Sequence, residues 1–251
     1  MATGCISIDR IIGKLDEYLN KNDYNLAERH LLYWLSESEL GGDTQTELTL
    51  RNELMGLYRK TGKREQAISQ VTFVTEKIEK LNMSHTVGAA TTYLNCATVY
   101  KAFGMADKAM ELFSVAREIY EDKLEKNDGR LGGLYNNMGL ALVDLKRFDE
   151  AKQLYEKAIS VMRSIADGML EVAITYLNMA TAAECELGLE AADERIQEYL
   201  SIAEEILESR EKRDGYYAFV CEKCAGVFGY YGHFFYENEL KDRARRIYEG
   251  S

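Results

Sequence analysis

The sequence predicts an all-α chain built as a stack of antiparallel helical hairpins, a solenoid of five full units and a degenerate sixth. Three observations carry that prediction. An alanine recurs in "NLAERH" (Ala27), "EQAISQ" (Ala67), "DKAMEL" (Ala109), "DEAKQL" (Ala151) and "EAADER" (Ala192), at steps of 40, 42, 42 and 41 residues. A short phrase recurs at nearly the same interval, as "TYLNCA" (92–97), "LYNNMG" (134–139) and "TYLNMA" (175–180). The chain of 251 residues contains no proline. It needs no sharp stops, which suits many helices joined by short Gly, Asn and Asp turns.

Each unit follows one plan. A turn-like break ("NKNDY", "KTGKR", "AFGMA", "DLKRF", "ELGLE") precedes each alanine, and apolar residues follow at helical spacing, as in Phe113, Ala116 and Tyr120 or Leu154, Tyr155 and Ala158. Another amphipathic segment runs up to each break, as in Tyr93, Cys96, Ala97 and Tyr100. Each unit therefore reads as helix, tight turn, helix. Small residues let the two helices approach closely, and aromatics fill the space beside them. A unit of this size cannot bury its own apolar face, so neighbours must stack.

The expected units run over 8–41, 48–81, 90–123, 132–165, 173–210 and 218–251, all within one solenoid domain. The first fits through Tyr18, Tyr24, Ala27 and Trp34. The fifth is expected to be longer: Leu189 to Ala203 spans 14 residues where Phe148 to Ala158 spans 10, about one extra turn. The last keeps Ala225, Phe228, Gly232 and Phe234 before drifting into "YENELKDRARRIYEG", as a terminal repeat with one solvent face does.

"YNNMGLALVDLKRFDEAKQLYEKAI" (135–159) and "YLNCATVYKAFGMADKAMELFSVA" (93–116) place aromatic, small residue, aromatic after the turn, alanine and aromatic in the order of the tetratricopeptide repeat family, which the sequence resembles over almost its whole length. The unit is about 42 residues rather than about 34, and the family's terminal proline is missing. Both features imply longer helices, similar to the repeats of kinesin light chain and of bacterial intracellular peptide-pheromone receptors. The resemblance implies a right-handed superhelix curved around one concave face.

Composition narrows the function classes. A net charge of −11 disfavours an extended basic face for nucleic acid, and an anionic membrane surface equally. The longest apolar runs, such as "AGVFGYYG", are too short and too Gly-broken to span a bilayer. The opening "MATGCISIDRIIGKLDEY" has no charged n-region followed by an apolar core, so no signal peptide is read there. Five cysteines, an odd number, point to free thiols in a reducing compartment and hence a cytoplasmic protein.

Signals for catalysis are sparse. His30, His85 and His233 stand apart from any acid or thiol at ligand spacing. "CEKC" (Cys221, Cys224) lies inside a helical pattern without a second Cys or His pair, which fits buried thiols better than zinc or redox chemistry. Neither a phosphate-binding glycine loop nor a nucleophile elbow is present. The expectation is no enzyme, no metal and no cofactor.

The asparagines of the repeated phrase are the candidate site. Asn95, Asn137 and Asn178 each follow the phrase's aromatic position by two residues, so they point about 200° away from that core-facing ring. In the resembling repeats that direction is the concave wall. A carboxamide carries donors and an acceptor and can pair with a peptide bond's C=O and N–H together. The row either clamps an extended peptide by its backbone or bonds to the neighbouring helix and fixes the superhelical pitch. Leu94, Thr98, Asn136, Leu140, Leu177 and Thr181 are expected around it, with Glu53 and Lys223 in the matching places of the second and last units.

A second candidate is the density of aromatics from Tyr216 to Tyr236, 9 of 21 residues. A terminal unit needs fewer core aromatics than a central one, so Tyr216, Tyr217, Tyr230 and Tyr231 are expected to form a self-association surface of a homodimer or a ligand-gripping end, the alternative being that the cluster is a thick terminal core. The resulting functional expectation is a non-enzymatic protein- or peptide-binding scaffold or adaptor. The alternative is a regulatory sensor that responds to a peptide and controls a signalling or transcription partner. Because no helix-turn-helix is read before Ile6 and no catalytic domain after Tyr248, its output would come by contact.

Overall fold

The structure, a computed structural model, describes residues 7–250. Residues 1–6, which include Cys5 and the start of the stretch read for a leader, lie outside the described residues, as does Ser251. Twelve helices are described, arranged as six hairpins of a tetratricopeptide-like solenoid: α1 (Ile8–Asn20) with α2 (Tyr24–Gly41), α3 (Thr44–Lys60) with α4 (Arg64–Lys80), α5 (Val87–Ala102) with α6 (Ala106–Lys123), α7 (Gly129–Asp144) with α8 (Phe148–Arg163), α9 (Met169–Leu187) with α10 (Leu189–Ser209), and α11 (Gly215–Tyr230) with α12 (Phe234–Glu249). By its contacts the chain divides into two compact units, one ending at Ile119 and one beginning at Tyr120, within α6.

Five of the six hairpins turn by one device. Three residues link the helices and the middle one is left-handed: Asn22, Gly62, Gly104, Lys146 and Gly232, with φ between 54° and 89°. The third linker N–H then bonds back five residues, from Asp23 to Tyr18, Lys63 to Tyr58, Met105 to Tyr100, Arg147 to Leu142 and His233 to Phe228, each at 2.9 Å. These bonds satisfy carbonyls that the helix end leaves open. The fifth hairpin differs. Gly188 alone separates α9 from α10, and these helices, 19 and 21 residues long, exceed the 13 to 18 of the others. The extra length expected there is present.

The alanines mark the close approach. Ala27, Ala67, Ala109, Ala151 and Ala192 are each the fourth residue of a second helix, and all are 0% exposed. In unit 1, α2 and α4 pack on the first helices that follow them, α3 and α5, and α3 also packs on α5 directly. In unit 2, α8 packs on α9, while α7, α9 and α11 stack in order. Gly139 of α7 receives the Tyr155 ring of α8, where an added Cβ would meet Cε1 at 2.5 Å.

The sixth unit is a full-length hairpin, and its degeneracy lies in what it buries. Glu237 stands where the other units have alanine, and its carboxylate occupies the room left by Gly229 of α11. Only Leu240 and Ala244 of α12 are buried. Glu208 of α10 instead holds α12 through charge, accepting from Arg243 Nη1 at 2.6 Å, Arg243 Nη2 at 2.9 Å and Tyr236 at 2.7 Å. In unit 1 the buried pair Glu47 and Arg51 is satisfied in a comparable way. Arg51 donates to Glu47 at 3.0 Å and Gln70 at 2.7 Å with its guanidinium 3.4 Å from the centre of the Phe73 ring, and Lys77 donates to Glu47 at 2.7 Å. Buried charge is tolerated only with such partners.

Two measurements test this packing. Gly139→Ala should lose about 1–3 kcal/mol in urea unfolding, the range for overpacking a filled core. Lys146→Gly should gain roughly 0.5–1 kcal/mol, because left-handed backbone strains a residue with a Cβ and glycine's greater chain entropy returns only part of that. The Arg243 hydrogen bonds hold the Glu208 carboxyl below its ordinary value. Its contribution is therefore full above the unfolded value, about 4.3, and is lost as pH falls through the lower folded one. The stability difference between parent and Glu208→Gln should accordingly shrink on acidification below that range; a difference that grows would contradict the assignment.

Candidate functional site

The repeated phrase falls on α5, α7 and α9, the first helices of three hairpins. Its asparagines are half-buried on the side of these helices turned away from their packed ring or small residue. In unit 1, Asn95 donates from Nδ2 to Asn52 Oδ1 of α3 at 3.0 Å. Asn52 in turn donates to the Leu48 carbonyl at 2.8 Å and to Thr92 Oγ1 at 3.2 Å. In unit 2, Asn178 donates to Asn136 Oδ1 of α7 at 3.1 Å. Both bonds join first helices of successive hairpins.

Asn137 behaves differently, donating to the Gly133 carbonyl of its own helix at 2.8 Å. Asn52 and Asn136 share one place in the repeat, and the third hairpin has Leu94 there. One part of the pitch reading thus holds for Asn95 and Asn178 and not for Asn137. It does not exhaust the groups. Each Nδ2 carries two hydrogens and each Oδ1 two lone pairs, so one bond leaves a donor and an acceptor on each of Asn95, Asn137 and Asn178.

Of the expected surroundings, Leu94, Thr98, Asn136 and Leu140 are half-buried and Thr181 is exposed. Thr98 and Thr181 hydroxyls donate to their own helix, to the Asn95 and Leu177 carbonyls at 2.7 and 3.3 Å. Leu177 is a correction. It is 2% exposed, because α7, α8, α10 and α11 all pack on α9, so it belongs to the core and offers no wall. Glu53 is half-buried on α3, and burial, then the nearby Asp16 charge, pushes its carboxyl above the ordinary range. Lys223 is exposed on α11 with Nζ 5.5 Å from the centre of the Phe219 ring.

The terminal tyrosines are divided between core and surface. Tyr217 is fully buried, donating to the Leu207 carbonyl at 3.3 Å and accepting from Arg243 at 3.0 Å, so it cannot form part of an outer surface. Tyr230 and Tyr231 both donate to Glu184 of α9, at 2.7 and 2.8 Å, and Tyr216 donates to Glu171 of the same helix. Sequence reasoning missed these ties. Their only signal is an acid 45 to 47 residues before each tyrosine, which the lengthened fifth unit sets off the common period.

Of the histidines singled out, His85 is exposed and the other two bond neighbouring elements. His30 bonds the Ile11 carbonyl at 2.9 Å and His233 bonds Gln197 at 3.0 Å. Cys96, Cys221 and Cys224 are buried free thiols and Cys185 is an exposed one. Burial pushes the Cys96 and Cys224 thiols up to about 12, which leaves them unreactive at neutral pH. Among the described residues no group of three or more His, Cys, Asp and Glu side chains could hold a metal ion, and no helix is long and apolar enough to cross a membrane.

A family model described as tetratricopeptide repeat matches residues 131–205. No curated protein matches the sequence closely enough to count as a relative. Among solved structures, BtubC (BKLC) from P. vanneervenii is similar at 15% identity over 82% of each chain, with a TM-score of 0.67. A Rap protein complexed with competence and sporulation factor is similar at 15% identity over 97% of this chain and 65% of that one, with a TM-score of 0.62. A putative kinesin light chain of nearly identical TPR-like repeats from Podosopora anserina is 16% identical over 80% and 94%, with a TM-score of 0.55. Together these show a tetratricopeptide-like all-α repeat fold.

The carboxamide geometry predicts an order of stabilities. Asn95→Ala and Asn178→Ala should each lose about 1 kcal/mol, because a half-buried partner oxygen loses its donor. Asn137→Ala, which breaks only a bond within its own helix, should stay within about 0.5 kcal/mol of the parent. Thermal melts of the three variants check this; equal losses at all three would contradict the pairing.

Proposed function

We propose that this protein is a non-enzymatic scaffold or adaptor, acting in the cytoplasm, whose first-helix face holds an extended peptide or partner segment by its backbone. The single observation behind this is the half-buried carboxamide on two successive first helices of unit 2, Asn137 and Asn178, with Asn95 the corresponding group within unit 1. Each is fixed by one hydrogen bond and retains a donor and an acceptor. Fixing the group in advance lowers the entropy lost on binding. The fold supports the reading: the Rap protein that shares it was solved in complex with a factor. A sensor controlling a partner by contact would use the same face and differ only in its output.

Nine-residue peptides arrayed on a surface, probed with the full chain, test the backbone hold. Asn137→Ala and Asn178→Ala should each weaken a peptide bound to unit 2 roughly 5- to 100-fold, since up to two hydrogen bonds of about 0.5–1.5 kcal/mol are lost. N-methylation of single peptide bonds should weaken binding comparably. Binding that ignores both changes while the melting temperature falls would reject the proposal.

A further inference from the structure

Among the described residues, one buried polar side-chain atom has no hydrogen-bond partner, the hydroxyl of Tyr155 on α8. The residue is 1% exposed, and its ring is wedged against Gly139 of α7, so the hydroxyl cannot swing out to water. A phenol buried without an acceptor is a cost that native cores seldom carry. Phenylalanine would fill the same space, so packing does not account for the hydroxyl.

Tyr155 also forms part of the wall of a cavity of about 30 Å³ between α8, α9 and α10, room for a water-sized group. Helical side chains lean toward the N-terminus of their helix. That directs Tyr155 to the Phe148 end of α8, where Ala182 and Ala183 of α9 also line the cavity. Lys152, Met179 and Tyr199 belong both to this wall and to that of a groove of about 520 Å³, so the cavity opens into the groove. Together they have the size of a small-molecule site. Tyr176 in the groove wall points about 200° away from Asn178, which separates the groove from the carboxamide row.

The walls specify the occupant. Phe148, Tyr176 and Tyr199 supply aromatic surface, the last two in contact at 5.8 Å between ring centres. The charged groups balance, with Lys152, Arg163 and Arg195 against Glu156, Glu186 and Glu198. Burial, then the nearby Asp144 charge, holds the Tyr155 hydroxyl above the ordinary phenol range. It is therefore a donor at any physiological pH, and an anion beside it would be repelled by Asp144. We propose that this groove binds a small neutral aromatic molecule carrying one oxygen acceptor. The acceptor enters the cavity and receives the Tyr155 hydrogen bond, while the ring lies against Met179 and Tyr199. The proposed peptide-holding face plays no part in this.

The test titrates the full chain with acetophenone, isopropylbenzene and benzoate, followed by ligand-observed NMR. The three share a ring and offer Tyr155 a neutral acceptor, no acceptor and a charged acceptor. Acetophenone should bind about tenfold more tightly than either of the others, the equivalent of one hydrogen bond. Tyr155→Phe should reduce acetophenone to the level of isopropylbenzene. Ala182→Leu, at a half-buried position in the cavity wall, should weaken acetophenone at least about tenfold. Without any probe, Tyr155→Phe should melt no lower than the parent, since it removes a buried donor that has no partner.

An acetophenone preference that survives Tyr155→Phe, or benzoate bound most tightly of the three, would overturn the proposal. A Tyr155→Phe variant that melts below the parent would also overturn it, because the hydroxyl would then already hold a structural water. Equal binding of acetophenone and isopropylbenzene to the parent would mean ring contact alone, and overturns it too. None of these results bears on the backbone hold by Asn137 and Asn178.

Discussion

The contact on which the rest depends is the approach of two helix backbones at the fourth residue of every second helix. In five hairpins that residue is an alanine with no exposed surface, and a larger side chain there would push the helices apart. The sixth hairpin shows the same constraint inverted. Glu237 brings a long side chain to the place, and Gly229 opposite gives up its own to make room. Close packing inside and between hairpins in turn sets the distance between successive first helices. Only at that distance do the carboxamides of Asn52 and Asn95, or Asn136 and Asn178, come within 3.0 and 3.1 Å.

Much of this was legible in the residue order because a repeat reports each fact several times. The alanine period located the turns of the first five hairpins and a fully buried residue after each, and the repeated phrase located three of the first helices. What one period could not show is a bond between places that are not equivalent. Asn95 reaches back 43 residues and Asn178 reaches back 42, each to a position one earlier in the repeat than its own. Aligning the phrase with itself conceals that offset. Leu177 was misplaced for a related reason: its spacing matches that of Leu94, which is half-buried, yet the longer α9 is covered on more sides.

The fifth unit is where local and global signals diverge. Gly188 shortens the turn to one residue, and the added helical length shifts α11 out of the common interval. Glu171 and Glu184 then lie 45 to 47 residues before the tyrosines they hold. The aromatic density noted in the sequence therefore splits three ways. Tyr217 and Phe228 fill the core, the hydroxyls of Tyr216, Tyr230 and Tyr231 tie α11 to α9, and the faces of Tyr216, Phe219 and Tyr230 remain outside. Composition counts all of these alike, and only burial and hydrogen bonds separate them.

The two roles open to the asparagine row are physically coupled rather than exclusive. The bond from Asn178 to Asn136 consumes one hydrogen and leaves a second hydrogen and the oxygen of this half-buried carboxamide for another partner. The same bond fixes the spacing of α7 and α9, hence the spacing between Asn137 and Asn178. An extended chain presents peptide groups at about 3.3–3.6 Å per residue, so a ligand held at both sites is sensitive to that spacing. Whatever tightens the pair narrows the range of spacings sampled by the free protein and lowers the cost of binding. By linkage, a ligand bound across Asn137 and Asn178 must strengthen the Asn136–Asn178 bond to the same extent. A residue that looks purely structural in the unliganded chain is then also part of how the face would recognise its partner.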